Sequence, residues 1–261
     1  MDLGLKDKVA IVTGGAAGIG KAIVEVLLEE GAIPVIVDMD NIAGQSVAKK
    51  ASSINSRTEF FQYDLREDDN CKTVIRETVY RLGRIDILIN NAGGNDFRHI
   101  ATTSPAEFRE SLNQNLVSAY AMCHYAWLEI AKTQGNIVFV GSKVSLIGEG
   151  RTAAYAAAKA GINGLTRELA VISAKENLGI RVNAILPGKV DTYVEKLYPG
   201  KYEKGLEIEG RDIPFGKRIT YPREIANAIA FYASNRVSGH TTGEIVVVDG
   251  GYVHLDRNAH L

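Results

Sequence analysis

Cysteine is almost missing from this chain: only Cys71 and Cys123 occur among 261 residues. Two thiols allow at most one disulfide and offer no metal-ligand spacing, which excludes a disulfide-stapled scaffold. The five histidines (His99, His124, His240, His254 and His260) are scattered without a zinc-type pattern, so no metal is expected. Charge of one sign is lacking too. Thirty basic residues stand against 31 acidic ones, a formal net charge of -1. That balance leaves no electrostatic footprint for nucleic acid or an anionic membrane. No apolar run reaches the length of a membrane span. The opening residues, MDLGLKDKVAIVTGG, have no apolar stretch behind a basic start, so a soluble cytoplasmic protein is expected. Internal repeats and low-complexity linkers are also absent.

What is present is a repeated alternation. Apolar runs of strand length are each followed by a longer amphipathic segment. Val9–Thr13 leads into Lys21–Glu30, and Ile33–Asp38 leads into Ala43–Ser53. Further strands are read at Thr58–Asp64, Ile85–Asn91, Asn136–Ser142 and Ile180–Leu186, with a last one in EIVVVDG near the C-terminus. Short β-rich runs separated by helical stretches predict an α/β fold: one Rossmann-type, doubly wound parallel sheet with helices on both faces. A chain of this length suits a single domain over 1–261. The stretch from about 188 to 216 is long for a connection and is read as a mobile substrate loop.

TGGAAGIG (Thr13 to Gly20) follows the first strand, with the spacing Gly14-x3-Gly18-x-Gly20. Glycines permit a sharp turn and a close approach to a pyrophosphate seated on the next helix. Ala17 and Ile19 lie inside that turn. Asp38 ends the second strand, where a carboxylate accepts hydrogen bonds from ribose hydroxyls and repels a 2′-phosphate. NAD is therefore expected over NADP. Asp64 and Leu65 end the third strand beside the expected adenine, and Asn91, Ala92 and Gly93 end the fourth. An Asx turn is the competing role for Asn91.

TAAYAAAKAG places Tyr155 and Lys159 four residues apart, on one face of a helix. Phenols ionise near pH 10, and a neighbouring ammonium favours the phenolate. Tyr155 is thus a candidate base with its pKa lowered by Lys159. Ser142 closes the fifth strand at the carboxyl edge of the sheet, where its hydroxyl can hold a substrate oxygen. Lys143, next along, suits a polar substrate, and a solvated strand-end lysine is its competing role.

TGGAAGIG, Asp38, NNAG, Asn115, Ser142, YAAAK, PGKVDT and the terminal VDGG occur in an order that resembles the short-chain dehydrogenase/reductase family. The resemblance implies that Asn115 joins Ser142, Tyr155 and Lys159 in a proton relay through a bound water; a helix-bending hydrogen bond is its other role, and the two are compatible. It also implies that Pro187, Gly188, Val190 and Thr192 contact the nicotinamide, and that the protein is a homo-oligomer, a tetramer. VGSKVSLIGEGRTAAYAAAKAG and HTTGEIVVVDGGYVHLDR are similar to the L-fucose dehydrogenase branch. That narrower likeness implies a free aldose as substrate. Asn95, Lys143, Lys189, Tyr193, His254 and Arg257 are the substrate-side candidates, and Lys189 departs from the more usual apolar or aromatic residue at its place in PGKVDT. Rival activities on the same scaffold are a 3-oxoacyl carrier-protein reductase and a hydroxysteroid or polyol dehydrogenase. A catalytically silent dinucleotide-binding regulator is the rival of another class.

Overall fold

A computed structural model describes residues 1–192 and 199–255. The fully apolar runs form its centre. β1 (Val9–Thr13) is buried at all five positions, as is β5 (Asn136–Val140). Such strands need cover on both faces, which only flanking helices supply. The others are β2 (Ile33–Asp38), β3 (Glu59–Gln62), β4 (Ile87–Asn90), β6 (Arg181–Pro187) and β7 (Ile245–Val248). They form one seven-stranded sheet in the order β3-β2-β1-β4-β5-β6-β7, and each neighbouring pair is parallel. The observed strands fall on the expected ones, shortened by one or two residues at several ends, with β6 running one residue farther.

Alternating side chains feed two cores. Ile11 points to the layer that holds Val74, Met122, Ile130 and Ile162. Ala10 and Val12 point to the opposite layer, with Ile23, Leu27, Val47 and Ile225. The first layer is built by α3 (Asp68–Leu82), α5 (Ser118–Thr133) and α6 (Ala153–Lys175). The second is built by α1 (Gly18–Glu29), α2 (Asn41–Ile54) and the helix Pro222–Ala233. The strand order reverses between β1 and β4, so a crevice opens above their carboxyl ends, where ligands bind in such sheets.

Two irregularities shape that crevice. α4 (Pro105–Leu112) runs into α5 through a π-helical turn, Asn113–Val117. Such turns insert an extra residue and occur frequently at functional sites. The long connection after β6 differs from the expected loop, because it contains a helix, α7 (Tyr202–Gly210). Its base is closed by a bridge between Val190 and Thr220, where Thr220 N–H donates to Lys189 O and Asp191 N–H donates to Thr220 O, both at 2.9 Å. The Tyr202 hydroxyl also donates to the Asp191 carboxylate. The final helix, α8, is Pro222–Ala233. No helix among the described residues is long and apolar enough to cross a membrane, and no His, Cys, Asp or Glu cluster among them could hold a metal.

Candidate active site

One cleft of about 1120 Å³ runs along the carboxyl edge of the sheet. Ligand pockets commonly span about 300–1,000 Å³, so this one has room for a dinucleotide and a small second molecule together.

At one end the glycine turn is held rather than loose. Gly14 has φ +64° and Gly18 has φ +51°, in the left-handed region that suits glycine. A Cβ on Gly20 would lie 1.9 Å from Gly14 O, so this residue packs under the turn and does not line the cleft. Asn91 works as a clamp and not as an Asx turn. Its Nδ2 donates to Thr13 O at 2.9 Å and to Gly14 O at 3.0 Å. Thr13 Oγ1 accepts from the N–H groups of Asn91 (3.0 Å) and Ala92 (2.9 Å), which locks β1 to β4. Asp38 accepts from Ala16 N–H and Asp40 N–H, each at 3.0 Å. A carboxylate offers about four lone-pair positions, so this one can brace the turn and still receive a diol.

The turn leads to an open helix end. Ala17 caps α1 without a side-chain hydrogen bond, and the first turn carries no acidic residue. Its unmatched N–H groups and positive dipole end make a place for an anion. Ala17, Gly18 and Ile19 line the cleft there, as do Asp38, Asp64 and Leu65. Asp64 is engaged by Arg66, whose Nη2 lies 2.6 Å from Oδ2, and that contact holds the carboxyl below its ordinary range. Farther along stand Asn91, Ala92 and Gly93, then Pro187, Gly188, Val190 and Thr192. A carboxylate at the end of β2, an open helix end and a glycine turn together fit a dinucleotide.

At the other end Ser142, Lys143, Tyr155 and Lys159 line the cleft, with Asn95 and Lys189. Tyr155 and Lys159 share a face of α6, and Lys159 Nζ stands 5.6 Å from the phenol ring centroid. Their electrostatics differ from the expectation. Burial pushes Tyr155 up to about 12, the Ser142 hydroxyl pulls it back down, and Glu149 raises it further. The Lys159 ammonium, expected to lower the phenol, donates to Val140 O at 2.9 Å. Burial also brings Lys159 itself down to about 8. The helical spacing made the two residues neighbours without aiming the charge at the phenol.

Asn115 is buried in the π-helical turn and does not line the cleft. Its Oδ1 accepts from Gly94 N–H at 2.9 Å and its Nδ2 donates to Ser111 O at 3.1 Å, so it fixes the loop beyond β4. A Cβ on Gly93 would come within 2.5 Å of that same oxygen. Of the substrate-side candidates, His254 is exposed and lies away from the cleft walls. Tyr193 and Arg257 lie outside the described residues. The sequence reading missed Arg66, Phe97, Glu149 and Glu209, all of which line the cleft. Glu149 and Glu209 face the two predicted lysines: Lys143 Nζ is 2.5 Å from Glu149 Oε1, and Lys189 Nζ is 3.1 Å from Glu209 Oε2. An acid opposite each lysine was the signal available, but the partners lie 6 and 20 residues away, and only folding brings the second pair together.

Residues 14–253 match the family model described as enoyl-(acyl carrier protein) reductase. The chain belongs to the short-chain dehydrogenase/reductase family. This oxidoreductase is 33% identical over 250 residues to a 3-oxoacyl-(acyl-carrier-protein) reductase of Thermotoga maritima, covering 95% of this chain and 99% of that one. It is 34% identical over 248 residues to the L-fucose dehydrogenase of Bos taurus, covering 94% and 88%. Among solved structures, the Cj0485 dehydrogenase superposes with a TM-score of 0.93 at 40% identity, covering 99% of this chain and 98% of that one. The ligand-free aldohexose dehydrogenase of Thermoplasma acidophilum gives 0.87 at 29%, covering 98% of both chains.

Proposed function

We propose that this oxidoreductase uses NAD to oxidise the anomeric hydroxyl of a free aldose, L-fucose or a close relative, to the lactone. The observation that carries the reading is the charged wall of the substrate end: Lys143 with Glu149, and Lys189 with Glu209. Such a wall suits a small polyol. An acyl chain or a steroid would strand those charges against hydrocarbon without water. Similarity to an L-fucose dehydrogenase and an aldohexose dehydrogenase supports the sugar, while similarity to 3-oxoacyl reductases keeps a rival in view.

Asp38, the open end of α1 and the Asn91–Gly93 loop are the groups that would hold the dinucleotide. Among the described residues that line the cleft, the cations Arg66, Lys143 and Lys189 each face a carboxylate, and Lys159 faces a carbonyl. None is free to receive a 2′-phosphate beside Asp38, which favours NAD. When bound, an oxidised nicotinamide supplies the hydride acceptor and a positive charge that favours the phenolate. Ser142 holds the anomeric oxygen, and Tyr155 takes its proton as the carbon–oxygen double bond forms. Lys159 keeps α6 docked on β5 and can turn toward a ribose.

A panel of aldoses, polyols, a steroid alcohol and a 3-oxoacyl thioester, each run with both cofactors, tests the proposal. Aldose-dependent NAD reduction with a higher kcat/KM than for NADP is expected. Tyr155→Phe should keep cofactor affinity and lose about 10²–10⁴-fold in rate, the usual worth of a general base. Reduction of the thioester with NADPH and no aldose oxidation would overturn the reading.

A further inference from the structure

Lys143 is unusual for a lysine beside a cleft, being only 3% exposed. Its ammonium sits 3.8 Å over the ring of Tyr252 and 2.5 Å from Glu149 Oε1. Beyond that ion pair it has no hydrogen-bond partner in the structure. The carboxylate takes one N–H and the aromatic face answers part of the charge, which leaves further N–H donors over. Ammonium groups carry three donors, and burying them unsatisfied is costly. Because Lys143 and Glu149 both line the cleft that holds Tyr155, a substrate hydroxyl is the group placed to take those donors.

Tyr252 is itself fixed. It packs against the small apolar cluster of Ile213 and Ile219 under the segment after β6. Asp249 straps the same turn, accepting from Gly251 N–H and Val253 N–H, both at 2.8 Å. The ring is therefore a shelf on which the ammonium rests, worth more where water is excluded.

We propose that Lys143 and Glu149 form a hydroxyl-reading clamp, Lys143 donating to and Glu149 accepting from neighbouring hydroxyls of the bound sugar, with Tyr252 as the positioning residue. The proposal rests on the aldose reading above and assigns its specificity to Glu149 and to the C-terminal turn. A pair of purely structural value would have no need of a cleft-facing ammonium with donors to spare.

Steady-state kinetics at saturating NAD test it. The variants are Lys143→Met, Glu149→Gln, Tyr252→Leu and Tyr252→Phe. The substrates are the aldose that wild type oxidises best and its deoxy analogues, each lacking one hydroxyl. KM for the sugar should rise about ten-fold or more in Lys143→Met and Glu149→Gln, the size of one charge-assisted hydrogen bond. KM for NAD should stay within about two-fold of wild type, reporting an intact fold and cofactor site. One deoxy analogue should be poor for wild type yet no worse than the parent sugar for Glu149→Gln. Tyr252→Leu should follow Lys143→Met, and Tyr252→Phe, which keeps the aromatic face, should lose less. Unchanged sugar KM with a lowered Tm would make the pair structural and overturn the clamp. So would additive effects of variant and analogue. A wild type that oxidises no aldose refutes the aldose reading, and the clamp with it, before any variant is compared.

Discussion

Lys159, proposed above to serve the reaction, illustrates how a buried charge lowers stability. Burial favours its neutral form, bringing its pKa from an ordinary 10.5 down to about 8. Between those values an unfolded chain holds a proton that the folded chain releases, so stability rises with pH across that window. Below about 8 both states are protonated, and the folded state bears the whole penalty, an upper bound of about 3 kcal/mol. Lys159→Met keeps most of the volume and removes the charge. The variant should be inactive yet melt higher than wild type at about pH 7, with the gap narrowing toward about pH 9.5. Calorimetry of the cofactor-free protein at both values checks it. A gap that widens with pH would show that the ammonium is well accommodated. Tyr155 sets the upper limit of the useful range: its raised value favours the neutral phenol, so its contribution is present below pH 10 and is lost as pH rises through about 12.

Among the elements, the glycine turn and the π-helical turn differ in how plainly the sequence announces them. TGGAAGIG after a run of buried β-branched residues is visible because glycine is chosen there for its backbone. Gly20 adds a constraint that spacing does not reveal, since its missing Cβ is what lets Gly14 O approach. Gly20→Ala should leave α1 helical, because alanine is the better helix former. It should weaken cofactor binding about ten-fold or more, each ten-fold being about 1.4 kcal/mol. Titration calorimetry with NAD, alongside circular dichroism, separates the two effects, and an unchanged affinity would mean that the turn shifts without harm. Asn115 was legible as a family position and as a helix-bending hydrogen bond, seen in its contact with Ser111 O, but not as a brace on Gly94, because the bulge that turns it there has no periodicity signature. The same reason hid the ion-pair partners: Lys143 and Lys189 stand beside recognisable motifs, whereas Glu149 and Glu209 come from irregular or inserted segments. Tyr155 and Lys159 were legible as a pair, but a four-residue spacing fixes Cβ positions and leaves a long side chain free to point elsewhere.

Across the whole molecule, the sheet was read almost strand for strand because full burial of the central strands β1, β4, β5 and β6 leaves no polar alternation to confuse the pattern. What fastens the far edge was invisible. Arg181, buried at the start of β6, donates to Asn235 Oδ1, Thr241 O, Tyr232 O and Ser234 O at 2.9–3.1 Å. It ties the end of α8 and the entry to β7 to the core. Arg181→Ala would leave several buried acceptors unmatched, at about 1–3 kcal/mol each, of which local water recovers part. Unfolding should come at least about 6 °C earlier, a chain this size losing roughly 2–4 °C per kcal/mol. Arg181→Lys should not restore the loss, since one ammonium cannot span the fork. Specific activity at low temperature should be preserved in both variants, and a selective loss of activity without a change in Tm would contradict this purely structural role.

The bridge between Val190 and Thr220 makes the stretch it encloses a cassette. Its base is pinned by backbone groups, which almost any residue can provide, so the hinge points ask little of the sequence between them. Lengthening such a closed segment is also cheap, about 0.6 kcal/mol for each doubling. The proposed acid–base residues, Ser142 just after β5 and Tyr155 and Lys159 on α6, lie outside the cassette, whereas Glu209 lies within it. Grafting or drift in this one segment can therefore retune which molecule is accepted while the chemistry stays fixed.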